Sequence, residues 1–172
     1  MSGTAGQWVL LAYRIPRRPS TLRITIWRKL DRLGVARLGD GLVALPADAR
    51  TREQLEWIAE EIGEVGGSAT IWLASPGSTA QEQAVATGMR QARSAEYQAV
   101  IAQARAAASA RPGERARVVK RLQAELRRID RRDFFPPTER DAARHAVREL
   151  ARRDTAVEAS ADSAEATEGT QR

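Results

Sequence analysis

The sequence predicts an α+β protein: a domain of strand–helix–strand–strand–helix–strand order over residues 1–76, a helical extension over 77–153, and an acidic tail over 154–172. Three observations predict it. Four short apolar runs rich in β-formers alternate with two amphipathic helical stretches within roughly 70 residues. From Ser78 the composition turns to Ala, Arg, Gln and Glu and strand signals cease. Beyond Asp154, apolar periodicity and large side chains are both missing, so the tail is expected to be disordered.

The first strand is "QWVLLAYRI" (7–15), a nearly unbroken apolar run ended by Pro16, as a buried central strand should be. After "PRRP", Ser20 is the expected N-cap of a helix in which Leu22, Ile26, Leu30 and Leu33 recur at helical spacing, with Trp27 beside them, until Gly34. "VARLGDGLVALP" then reads as two antiparallel strands around Gly39-Asp40-Gly41, because glycine supplies the positive φ that a tight turn needs. Thr51 and Gln54 have capping-box spacing, and Leu55, Ile58, Ile62 and Val65 line a second helix that stops at Gly66-Gly67; Glu56, Glu60, Glu61 and Glu64 mark its outer face. "SATIWLAS" (68–75) is the last strand, broken by Pro76-Gly77. This order is the split βαβ, ferredoxin-like arrangement, with two helices over one sheet face. Trp8, Trp27, Trp57 and Trp72, one on each of four elements, are expected in the shared core.

Helices are expected at about 79–110, 113–132 and 138–152, punctuated by Pro112-Gly113 and "FFPP". Thr138 is the expected cap of the last of them, and Phe134 and Phe135 are read as packing residues. In the middle helix Val118, Val119, Leu122, Leu126 and Ile129 form the buried stripe, while Arg117, Lys120, Arg121, Arg127, Arg128, Arg131 and Arg132 cover the rest.

The net charge of +6 is strongly segregated: residues 1–40 carry +6, 41–75 carry −4, 76–153 carry +8 and 154–172 carry −4. Two basic bodies are thus separated by an acidic helix. Cysteine is absent, which removes disulfides, thiolate metal sites and thiol catalysis and suits a reducing cytoplasm. The apolar run at the N-terminus is too short to span a bilayer and lacks the basic flank of a signal peptide, so no membrane association is expected.

"WVLLAYRIPRRPSTLRITIWRKLDRLG", the strand pair ending in "LVALP", "TREQLEWIAEEIGEVGG", "RSAEY" and "RRDFFPPTER" together resemble the N-terminal region of the ChrB chromate-resistance regulator family, over roughly residues 7 to 150. The first four blocks also resemble the central domain of PaaX-type repressors, which shares the ferredoxin-like fold of the small CRISPR-associated nuclease subunit. The ChrB resemblance implies a bacterial cytoplasmic protein that acts in chromate resistance by binding DNA and responding to chromate. Members of that family commonly continue into a second, chromate-resistance domain.

The basic surface points to DNA, since every phosphate neutralised releases counterions and clustered arginines give affinity without a shaped pocket. The candidate nucleic-acid-binding residues are Arg14, Arg17 and Arg18, where the first strand hands over to the helix, and Arg23, Arg28, Lys29 and Arg32 on the helix. Against this stands the reading of those groups as a solvated face, or as partners for the glutamates of the second helix. The related CRISPR fold holds a metal with an aspartate at the end of its first strand; here that place is Tyr13-Arg14, Asp40 is a lone acid, and His145 is the single histidine. No glycine-rich phosphate loop is present. The expectation is a non-enzymatic, DNA-binding homodimer without a cofactor, chromate being at most an effector. The alternative is an accessory protein that binds an acidic partner, such as a separately encoded chromate-resistance domain.

Overall fold

The computed structural model describes the backbone over residues 6–168 and side chains as far as Arg153. Its elements are β1 (Trp8–Arg14), α1 (Ser20–Leu33), β2 (Ala36–Gly39), β3 (Leu42–Pro46), α2 (Ala49–Glu64), β4 (Ser68–Ala74), α3 (Thr79–Ala106), a short 3-10 turn at Ala107–Ser109, α4 (Pro112–Asp130) and α5 (Glu139–Glu168). The four strands form one antiparallel sheet in the order β2-β3-β1-β4, so that β1–α1–β2 skips over β3 as a split βαβ unit does. The chain divides into two compact units, residues 6–90 with Arg132–Phe135, and residues 91–131 with the chain from Pro136 onward.

In the first unit, β1 pairs with β3 from Trp8↔Pro46 to Ala12↔Leu42 and with β4 along its whole length, Trp8↔Ala74 to Arg14↔Ser68. Alternation sends Val9 and Leu11 to one face, opposite Val43 and Leu45 of β3, where they meet Ile26 and Leu30 of α1 and Leu55, Ile58 and Ile62 of α2 in one buried cluster. The other face carries Trp8, Leu10, Ala44 and Trp72. Trp8 is buried there, stacked on Phe135 with centroids 6.0 Å apart, and its indole N–H donates to Glu82 Oε1 at 3.3 Å.

Trp8 is the only tryptophan that joins the core; Trp27, Trp57 and Trp72 are 51%, 65% and 58% exposed. Periodicity explains the correction. Trp27 follows the buried Ile26 and Trp57 precedes the buried Ile58, each one residue, about 100° of helix, from its stripe. Two capping assignments also change. Residue Pro19 occupies the N-cap of α1 with no side-chain bond, and Ser20 is the first helical residue. In α2 the capping box is Asp48 with Thr51: the Thr51 N–H donates to Asp48 Oδ1 at 2.7 Å, and the Asp48 N–H donates to the Thr51 hydroxyl at 3.0 Å. Thr51 is fully buried because its hydroxyl also donates to the Pro46 carbonyl at 2.7 Å, tying the end of β3 to the start of α2.

Two glycine turns grip the end of β1. Gly41 has φ 71°, and a Cβ there would lie 2.3 Å from the Tyr13 carbonyl oxygen, whose residue also donates its N–H to the Gly41 carbonyl at 2.7 Å. A Cβ on Gly67 would lie 2.5 Å from the Arg14 carbonyl oxygen. Only glycine permits these approaches.

In the second unit Tyr97, Val100, Val119, Leu122, Leu126, Ile129, Val147 and Leu150 form a separate core. Arg115 is buried, and its guanidinium donates to the carbonyls of Ala110 at 2.7 Å and Arg153 at 3.1 Å. It thereby satisfies the Ala110 carbonyl, which lies just past the 3-10 turn, and ties the start of α4 to α5. Asp130 gathers three donors: Tyr97 Oη at 2.9 Å, Arg140 Nε at 3.2 Å and Arg144 Nη2 at 2.8 Å. The backbone of α5 runs helical through Glu168, across residues 154–168 where the composition predicts disorder; those residues are rich in Ala and Glu and interrupted by neither Pro nor Gly. Residues 169–172 of the expected tail lie outside the described residues.

Gly41→Ala is expected to destabilise the fold by about 1–3 kcal/mol through strain at positive φ, whereas Gly39→Ala, with nothing within 4 Å of its Cβ, stays within about 1 kcal/mol; urea denaturation of both variants checks the contrast. The Asp130 carboxyl feels burial, which raises its pKa, but the hydrogen bonds from Arg144 and Tyr97 and the charges of Arg144 and Arg140 outweigh this and hold it below its ordinary value. A depressed carboxyl contributes stability that is complete above the unfolded pKa of about 3.9 and lost as pH falls through the folded value. Asp130→Asn is therefore expected to lower stability at pH 7, with the deficit against the parent shrinking as pH falls below about 4, as denaturant titrations followed by circular dichroism would show.

Candidate nucleic-acid interface

The seven sequence-predicted residues fall on one continuous stretch. Arg14 is the exposed last residue of β1, held by the pairing to Ser68 and the packing of Gly67 against its carbonyl. Arg17 and Arg18 lie exposed in the loop to α1, and Arg23, Arg28 and Arg32 are exposed on the helix. Among the described residues, none of these six arginines has a carboxylate within 4.0 Å. Lys29 differs. Its ammonium sits between the oxygens of Glu61, at 2.7 Å and 2.5 Å, and bridges α1 to α2. The glutamates of the second helix thus neutralise one of the seven cations and leave six.

Those six do not all face one way. Helical spacing sets Arg28 and Arg32, four residues apart, on one flank of α1, while Arg23 shares the opposite flank with Trp27. Arg14, Arg17 and Arg18 cluster at the strand end ahead of the helix.

A further cation belongs to the Trp27 flank, and sequence reasoning missed it. Arg37 of β2 lies 5.1 Å from the Trp27 ring centroid as a cation–π pair and 4.0 Å from Asp31. Arg132 brings its Nη1 to 3.5 Å from the Asp31 carbonyl oxygen. No local pattern signals either contact, because ten residues separate Arg37 from Trp27 and 101 separate Arg132 from Asp31. A guanidinium over an exposed indole, with Arg23 along the same flank, offers both a π-face and positive charge.

The first unit also has a cavity of about 390 Å³ on the other sheet face, lined by Trp8, Leu10, Leu38, Ala44, Ala74, Ser75, Pro76, Gln81, Ala84 and Val85. None of these lining residues is charged. Among the described residues, no three His, Cys, Asp or Glu side chains come together, and no helix is long and apolar enough to cross a membrane.

A small antiparallel α+β domain with a cationic strand-to-helix junction is the class of protein defined here. The family model "Protein ChrB, N-terminal" matches residues 23–110, just over half of the chain, and the chain belongs to that family. Arg23, Arg28, Lys29 and Arg32 fall inside the match, and Arg14, Arg17 and Arg18 precede it. The chain is 29% identical over 133 residues to Protein ChrB of Cupriavidus metallidurans, covering 75% of this chain and 40% of that protein. It therefore spans less than half the length of this curated relative. No solved structure matches it.

With side-chain exposures of 38% and 30%, the Lys29–Glu61 pair is only partly shielded from water and salt. A double-mutant cycle with Lys29→Met and Glu61→Gln is expected to return a coupling of at most about 1 kcal/mol that diminishes on adding salt, measured by thermal denaturation at two ionic strengths.

Proposed function

We propose that this chain is a non-enzymatic DNA-binding regulator acting in chromate resistance. The observation that carries the reading is the set of six exposed arginines around the β1–α1 junction without acidic partners. Family membership supplies the chromate-resistance context. Groups at the strand end and loop would position the duplex by its phosphates or enter a groove, and Arg28 and Arg32 would hold backbone phosphates further along. Lys29 contributes less, since binding DNA would require breaking its bridge to Glu61.

The test is fluorescence anisotropy with DNA taken from upstream of a chromate-efflux gene. Binding with about six phosphate contacts predicts a slope near −5 in log K against log salt. Replacing Arg17, Arg18, Arg28 and Arg32 together with alanine is expected to weaken binding at least about tenfold, with the melting temperature nearly unchanged because all four are exposed. Unchanged binding refutes the assignment. Absence of binding at any ionic strength, joined to capture of an acidic chromate-resistance domain, would replace it with the accessory-protein reading.

A further inference from the structure

The two edges of the sheet are unlike. The β2 edge is four residues long, carries Arg37, and is interrupted by a register shift between Arg37 and Gly39, three devices that discourage further strand pairing. The β4 edge has none of them. Its seven residues, SATIWLA, include no charge, no Pro and no Gly. β4 is fully paired to β1 on one side, and among the described residues no backbone hydrogen bond joins residues 68–74 to any other segment. Alternate N–H and C=O groups along its outer side are left to water. Trp72 and Leu73, pointing to opposite faces at this edge, are 58% and 51% exposed.

We propose that β4 is a dimerisation strand, pairing antiparallel with β4 of a second copy about a two-fold axis at Ile71 and joining two sheets into one of eight strands. The strand's own pattern selects this occupant and this register. With Ile71 opposite Ile71, Trp72 meets Thr70 and Leu73 meets Ala69, so each bulky side chain faces a small one on the same face. Because the strand is uncharged, no like charges oppose one another across the axis. A one-residue slip would set core-facing positions against solvent-facing ones, which disfavours the neighbouring registers. The axis runs perpendicular to the sheet, so α1 and α2 of both copies lie on the same side.

From strand rise and spacing, the two β1–α1 loops would lie about 30 Å apart, on the order of one DNA helical turn. That consequence rests on the DNA-binding reading; the strand pairing does not, and its test contains no DNA.

The measurement is molar mass by sedimentation equilibrium of the full chain, up to about 100 μM. The parent is expected to approach twice 18.9 kDa in a concentration-dependent manner. Thr70→Lys with Trp72→Lys sets lysine against lysine twice across the axis and is expected to weaken dimerisation at least tenfold at low salt. Thr70→Lys with Trp72→Glu sets opposite charges there and is expected to restore it. Thr70 and Trp72 are exposed, and circular dichroism verifies that both variants fold. A parent that stays monomeric, or a lysine–lysine variant that dimerises as the parent does, overturns the proposal.

Discussion

The first unit depends on β1 being the strand paired on both sides. Its backbone groups are committed to β3 and β4, which leaves its side chains to join two layers: Val9 and Leu11 under the helices, Trp8 on the opposite face against Phe135. Each neighbouring turn closes against the far end of this strand through a glycine with no room for a Cβ, Gly41 on Tyr13 and Gly67 on Arg14. The point from which the arginine-bearing loop departs is therefore held by two hairpin-like closures and a full strand register. A cationic loop on such a base loses less freedom on meeting an anionic polymer than one on a frayed strand.

The charges divide by what surrounds them. Lys29 is spent on a bridge between the helices, Arg115 on carbonyl acceptors within the second unit, and Arg140 and Arg144 on the Asp130 carboxylate. Six cations without an acidic partner lie where β1 passes into α1, and others, Lys120, Arg127 and Arg148 among them, are exposed on the helices of the second unit. Net charge alone would not have separated these groups, because a guanidinium that satisfies backbone carbonyls and one that awaits a phosphate contribute equally to +6.

The exposed tryptophans follow a similar division. Trp27 is partnered by Arg37 within the chain, while Trp72 stands at an uncharged strand edge with no such neighbour. An amphipathic aromatic left at an open edge is well placed to be covered by another protein surface, since burial of its ring then adds to the hydrogen bonds that the edge supplies.

Strand and helix order, the turns at Gly34, Gly41 and Gly66-Gly67, and the buried stripes of α1, α2 and α4 were legible because period and turn chemistry are local properties of the chain. The six free arginines were legible as a dense run, but not the loss of Lys29 to Glu61, which requires two helices to lie side by side. The burial of Arg115 against the Arg153 carbonyl and the contact of Arg37 with Trp27 depend on other elements of the chain, whereas the cap at Asp48 in place of Thr51–Gln54 and the outward turn of Trp27 and Trp57 are local features that the pattern of apolar residues alone assigns differently. The sequence by itself determined which segments are strands and helices and where positive charge accumulates. Only the tertiary structure decided which of those charges are already neutralised and which strand edge stays open, because both depend on neighbours supplied by the packing of elements and not by the order of residues.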